Sequence, residues 1–284
     1  MHPLAGIYAA ALTPLTAADT PDLDAIPRLL AFLADRGCHG ALILGTTGEG
    51  PSFSPAERIA IFRAAAQVRQ THPDFRLLAG TGTPSWTETA ELNRAAFDLG
   101  FAGVVVLPPY YIRTAPEEGL FAWYRRVITR SVPADGYLLA YHIPQISGVP
   151  VSLDLLARLK DAFPQQFAGL KDSTGDPQHA RALGERFGGD LLALTGNDRL
   201  LTHALQNHAG GCITALANLC SPDSRRVWDS FQAGSPDPEA QARLNAARAD
   251  LDAHPPAPVY LKRRLHELHD FPLWPVRPPL TPSP

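Results

Sequence analysis

Short apolar runs alternate with longer amphipathic ones along most of the chain. The apolar runs cover residues 6–12, 40–44, 77–80, 103–108, 136–142, 167–173, 191–196 and 211–217, and each is bounded by Gly, Pro or Thr. Nearly continuous hydrophobicity over so few residues is the profile of a parallel strand buried on both faces. The stretches between them carry helical periodicity. Residues 24–36 set Ile26, Leu29, Leu30 and Leu33 on one stripe. Ser54-Pro55-Ala56-Glu57 reads as a capping residue, a proline in the first turn and an early acid. That signal opens a helix through Ile61, Phe62 and Val68. Further helices are expected over 87–99, 116–131, 152–162, 176–187, 199–207 and 222–233.

Eight strand–helix units in strict alternation imply a parallel sheet with right-handed crossovers. The count and the 284-residue length suit an α/β fold of the closed (β/α)8 TIM-barrel type, which takes about 250 residues. An open doubly wound sheet would show the same alternation. The expected organisation is a barrel over residues 1–233 and a C-terminal helical extension over 234–284, packed on it. The extension holds helical stretches near 239–252 and 259–269. It ends in a tail with prolines at 272, 275, 278, 279, 282 and 284, which can continue neither helix nor sheet. Such a tail lies along the barrel exterior or is loosely ordered.

Composition narrows the function. Hydrophobic residues make up 45% and charged residues 19%, so the chain can bury a core and is not of the disordered class. A net charge of −3 gives no basic surplus for nucleic acid, and no apolar run is long enough to span a bilayer. The opening Met-His-Pro-Leu-Ala-Gly lacks the basic and apolar regions of a secretory leader. Cys38, Cys212 and Cys220 form no CxxC pair, so neither a disulfide framework nor a metal site is expected. A cytoplasmic protein follows. Eleven of the 28 prolines fall after residue 233, which places much of the proline surplus in the extension.

In a barrel of this kind, chemistry belongs at the C-terminal ends of the strands. Gly45-Thr46-Thr47-Gly48-Glu49 follows the second strand, and its successive backbone amides could hold a carboxylate. The same stretch could be an ordinary turn capped by threonines. It is not a P-loop, since no Gly-Lys-Ser/Thr follows. Tyr141 ends the fifth strand and Lys171 closes the sixth. A lysine inside an apolar strand is rarely buried without a partner, and a neutral amine there would attack a ketone to form an imine. The alternative is that Lys171 points outward or pairs with Asp172. A carboxylate cradle, a phenol and an amine are the parts that handle a 2-oxo acid.

In order along the chain, Gly45-Thr46-Thr47-Gly48-Glu49, Pro109-Tyr110-Tyr111, Tyr141-His142-Ile143-Pro144, Gly169-Leu170-Lys171-Asp172, Gly196-Asn197-Asp198 and Arg277-Pro278-Pro279-Leu280 closely resemble the pyruvate-dependent class I aldolases. This is the dihydrodipicolinate synthase / N-acetylneuraminate lyase family. The resemblance covers essentially the whole chain. It implies that Lys171 forms the imine with the 2-oxo acid and that Tyr141 donates and accepts protons. Thr46 then relays protons, while Thr47 and the turn from Gly45 hold the carboxylate. Tyr111 would complete the relay from the neighbouring subunit of a tight dimer, two such dimers making a homotetramer. Gly196, Asp198, Arg199, Ser173 and Ile213 join the substrate-binding set. No metal or organic cofactor is implied.

Departures from the subfamilies bear on the substrate. The synthases carry an arginine shortly after the Tyr141 position, where this chain has Ile146, and an aliphatic side chain cannot clamp a carboxylate. The Ile-Pro-x-aliphatic-Ser-Gly pattern is closer to the neuraminate lyases. Those place an acid where this chain has Arg199 and a serine where it has Ala215. Arg199 reads either as a partner for a distal anion or as a solvated helix start. The expected activity is reversible cleavage of a 4-hydroxy-2-oxo acid, of the 2-keto-3-deoxy sugar acid type, to pyruvate and an aldehyde. A dehydratase on the same imine, a synthase-like condensation and a non-catalytic 2-oxo acid binding barrel are the alternatives. Cys38 reads as packing, His266-Glu267-Leu268-His269 as a surface helix, and the Arg125-Arg126 and Lys262-Arg263-Arg264 runs as solvated helix faces.

Overall fold

In the computed structural model, which describes residues 1–281, each of the eight apolar runs forms a strand. The strands are β1 Gly6–Ala10, β2 Gly40–Ile43, β3 Arg76–Gly80, β4 Gly103–Val106, β5 Tyr137–His142, β6 Phe167–Asp172, β7 Leu192–Thr195 and β8 Gly211–Thr214. They pair in parallel in chain order, and β8 returns to β1. The barrel is closed, and the open-sheet alternative is excluded. The helices α1 Ala25–Asp35, α2 Pro55–Ala66, α3 Trp86–Asp98, α4 Glu117–Ser131, α5 Pro144–Ser147, α6 Leu153–Ala162, α7 Pro177–Phe187, α8 Leu201–Gln206 and α9 Ala217–Gln232 lie between and after the strands.

Alternation along each strand divides the core in two. Tyr8, Leu42, Leu78, Val105, Leu139 and Ile213 pack inside the barrel. Their neighbours Ala9, Ala41, Leu77, Val104, Leu138 and Leu170 pack outward against the helices. Because Leu170 belongs to the outer layer, the pleat sends Lys171 inward and Asp172 outward. Register sets Tyr141 opposite Lys171 and His142 opposite Asp172.

Local chemistry accounts for the element ends. Ser54 accepts from the Glu57 amide while the Glu57 carboxylate accepts from Ser54, a reciprocal cap that starts α2. Ser85, Ser152 and Asp176 cap α3, α6 and α7 one-sidedly, each side chain accepting from a first-turn amide. Two expected boundaries move. The helix expected over 222–233 begins at Ala217 and is interrupted at Cys220, two residues before Pro222 removes a backbone donor. The helix expected over 199–207 divides into a 3-10 turn, Asp198–Leu200, and α8. The four-residue α5 was not expected, being too short for periodicity to show.

Beyond α9, α10 Pro238–Ala253 packs on α9 and on the Asp198 turn, and α11 Ala257–His269 also packs on α9. The tail is tied down: Trp274 and Val276 are buried, and the Pro275 carbonyl accepts from Lys262. Pro282 and Pro284 lie outside the described residues. One expectation is corrected here. Lys262 is not on a solvated face but is 1% exposed, its ammonium 2.6 Å from Glu49. Helical spacing in a basic run does not show that one member turns inward to meet an acid from a distant turn. Among the described residues no helix is long and apolar enough to cross a membrane.

Candidate active site

Strand β6 delivers Lys171 to the mouth of the barrel, where it is 3% exposed. Its Nζ sits 4.2 Å from the centroid of the Tyr141 ring, and no carboxylate of the described residues lies within ion-pair distance of it. Asp172 does not serve as partner, since it faces the opposite side of the sheet. The buried Tyr141 hydroxyl lies 3.3 Å from Thr46 Oγ1. Burial alone would raise the phenol's pKa. The charge of Lys171 and the hydrogen bond with Thr46 outweigh it and hold the pKa below the ordinary phenol value.

The turn that carries Thr46 and Thr47 is fixed from beneath. Glu49 adopts a left-handed conformation, φ 56°, and its carboxylate accepts from Lys262 Nζ at 2.6 Å and from the Arg277 amide at 2.9 Å. Thr13 Oγ1 donates to the Gly48 carbonyl at 2.7 Å. Arg277 also donates to the Ser52 carbonyl and to Glu57. The tail therefore pins the loop that carries Thr46 and Thr47. Thr47 is buried and Thr46 exposed at the opening.

A cavity of about 280 Å³ opens over these groups, lined by Thr46, Thr47, Tyr141, Lys171, Ser173, Gly196 and Ile213. Ser173 Oγ is buried there with no hydrogen-bond partner among the described residues. A Cβ at position 196 would fall 1.9 Å from that oxygen, so only glycine lets the two loops meet. Four candidates from the sequence lie off this cavity. Gly45 sits in the turn beside it. Asp198 is buried behind the wall, where desolvation raises its pKa against the opposing influence of Thr214 and Arg248. Arg199 is half-exposed and ion-paired to Asp252 at 3.1 Å. Tyr111, on the loop after β4, is 84% exposed.

The cavity also has lining residues that the sequence did not single out: Gln145, Asn197, Arg248 and Asp252. Asn197 lies within a quoted motif. Arg248 and Asp252 come from α10, four residues apart on one face, and only the return of that helix to the mouth gives them a role.

Behind the site, the neighbours of Tyr141 and Lys171 form a second polar group. His142 Nδ1 accepts from the Val151 amide at 2.9 Å, and its ring stacks on His179 with centroids 4.8 Å apart. His179 Nδ1 is 3.1 Å from Asp172, which also accepts from Thr174. Burial lowers the His142 pKa to about 4, whereas the Asp172 hydrogen bond raises that of His179. Among the described residues this trio alone has metal-ligand spacing. Its groups are already bonded to one another or to the backbone.

The sequence model of the dihydrodipicolinate synthetase family matches residues 3–284. The chain belongs to that family. It is 42% identical over 278 residues to an uncharacterised DapA-like lyase of Chloroflexus aurantiacus, covering 98% of this chain and 91% of the relative. A 4-hydroxy-tetrahydrodipicolinate synthase of Moorella thermoacetica is 31% identical over 280 residues, with 96% and 91% covered. The crystal structure of dihydrodipicolinate synthase from Agrobacterium tumefaciens superposes with a TM-score of 0.87 at 29% identity, covering 98% of this chain and 94% of that one. Family members are pyruvate-dependent class I lyases and aldolases, and this chain is a carbon–carbon lyase of that class.

Proposed function

We propose that the enzyme reversibly cleaves a 4-hydroxy-2-oxo acid, of the 2-keto-3-deoxy sugar acid type, to pyruvate and an aldehyde through an imine on Lys171. The observation that carries this reading is a buried lysine with no carboxylate partner, set against a phenol that reaches a threonine at the cavity mouth. The substrate carboxylate would lie against Thr47 and the amides of the Gly45–Gly48 turn. Lys171 Nζ attacks the C2 carbonyl, the carbinolamine loses water, and the protonated imine becomes an electron sink. Tyr141, its pKa held down, accepts the C4 hydroxyl proton as the C3–C4 bond breaks and the aldehyde departs. The enamine takes a proton back at C3, and water then releases pyruvate from Lys171. Thr46, hydrogen-bonded to Tyr141, relays that proton from the phenol back toward C3. Neither metal nor organic cofactor enters these steps.

Ile146, 58% exposed on the cavity wall, offers no hydrogen bond to a carboxylate. That supports a lyase over the condensation named for the Moorella relative. We further propose that Tyr111 and its exposed neighbour Ile112 meet a second subunit, with Tyr111 completing the relay in a homotetramer of tight dimers. The chain would act as one cytoplasmic unit, with residues 234–284 serving the barrel. Incubation with 2-keto-3-deoxy sugar acids and measurement of pyruvate by coupled lactate dehydrogenase tests the activity. Pyruvate released in step with substrate lost is expected. Loss of substrate without pyruvate would mark a dehydratase and overturn the lyase reading.

A further inference from the structure

Arg248 is the one cation, besides Lys171, that lines the cavity among the described residues. It stands on α10, in the C-terminal extension, with 23% of its side chain exposed. Its Nε donates to Asp252 Oδ1 at 2.7 Å. Nη1 comes only to 3.6 Å from Asp198, and neither terminal nitrogen makes a hydrogen bond among the described residues. The guanidinium is thus held through Nε, with Asp198 only at ion-pair distance, and its terminal edge is left without a hydrogen bond beside the cavity. That edge is the one an arginine uses to take a carboxylate bidentately.

The surrounding charges favour the same ligand. Asp252 is shared between Arg248 and Arg199. Asp198, fully buried, has its ionisation held back by desolvation. Asp252 thus divides its charge between two guanidiniums, which leaves the outer edge of Arg248 at the cavity for another carboxylate. A doubly charged phosphate would lie against Asp252 and Asp198 with a single fork to receive it. A monoanion fits the balance better.

We propose that Arg248 receives a carboxylate at the end of the substrate remote from Lys171, so that the enzyme acts on 4-hydroxy-2-oxo diacids and its aldehyde half carries an acid group. This deepens the aldolase reading and rests on it. The test compares wild type and Arg248→Gln in condensing pyruvate with carboxylated aldehydes (glyoxylate, succinic semialdehyde), neutral ones (glycolaldehyde, glyceraldehyde) and glyceraldehyde 3-phosphate. Borohydride trapping of pyruvate is run on both proteins in parallel. Wild type should prefer a carboxylated acceptor. Arg248→Gln should lower kcat/KM for that acceptor by about 10- to 100-fold, the range of one charged hydrogen-bonded contact, largely through KM. Neutral acceptors and trapping should be unaffected, and Arg248→Lys should fall between. Equal losses on all acceptors, no loss on any, or a wild-type preference for the phosphorylated or neutral aldehyde would each overturn the assignment while trapping persists. Absence of trapping in wild type would overturn the aldolase reading and this assignment with it.

Discussion

Lys171 and Lys262 are both buried, 3% and 1% exposed, yet their surroundings are opposite. Lys262 enters from α11 and meets Glu49 and the Pro275 carbonyl, each at 2.6 Å. Its charge is matched. Lys171 has no ion-pair partner among the described residues and faces an aromatic ring and open space. A buried polar group left without a hydrogen-bonded partner costs free energy, so a fold that retains one does so for chemistry. The two lysines also cooperate: Lys262 holds Glu49, and Glu49 holds the turn whose Thr46 reaches Tyr141.

The comparison is broken most severely at Lys171 itself. Lys171→Met should reduce turnover by about 10³-fold or more, with a melting temperature equal to or above wild type because a buried amine without a carboxylate partner is removed. A lowered melting temperature would show that Lys171 also supports the fold. Next comes Tyr141→Phe, expected to lose about 10²–10⁴ in kcat, the range for a positioned acid–base group, while pyruvate is still trapped. Lys262→Met should act on stability instead, costing about 3–5 kcal/mol in denaturant unfolding, since it strands Glu49 in the interior. The double variant with Glu49→Met should recover much of that loss. If Lys262→Met left stability intact, the contrast between the lysines would fail.

The smallest effect concerns the polar group behind the site. His142 is neutral in the fold, with a pKa lowered by burial from 6.5 to about 4. Its contribution to stability is therefore present above about pH 6.5 and is lost as pH falls toward 4. Melting temperature should decline across that window, and His142→Gln should flatten the decline by about 2–4 °C. An unchanged slope in the variant would place the acid sensitivity elsewhere, for instance at His2 or His39, whose pKa values burial also lowers to about 4.

Much of this was legible before the fold was known. The eight buried strands announced themselves because both faces of each are covered, which makes their sequences nearly continuous in hydrophobicity. Lys171 and Tyr141 stood out as polar residues ending such strands, and the register of β5 against β6 then set them opposite each other. What could not be read depends on distant segments meeting. Nothing near Lys262 marks its partner 213 positions away. Arg248 and Asp252 look like an ordinary i, i+4 pair on a solvated helix until α10 is seen at the cavity. Arg199 follows the Gly196-Asn197-Asp198 motif, whereas its side chain is half-exposed and ion-paired to Asp252. Pattern reports which face of an element is apolar; it is silent about which elements return to the mouth.

The central claim is that Lys171 forms a covalent imine. Borohydride reduction in the presence of pyruvate, followed by intact mass and peptide mapping, tests it most directly. The account predicts one reduced pyruvate adduct per chain, located on Lys171, present in Lys262→Arg and absent in Lys171→Arg. No adduct, or an adduct that persists in Lys171→Arg, would contradict it.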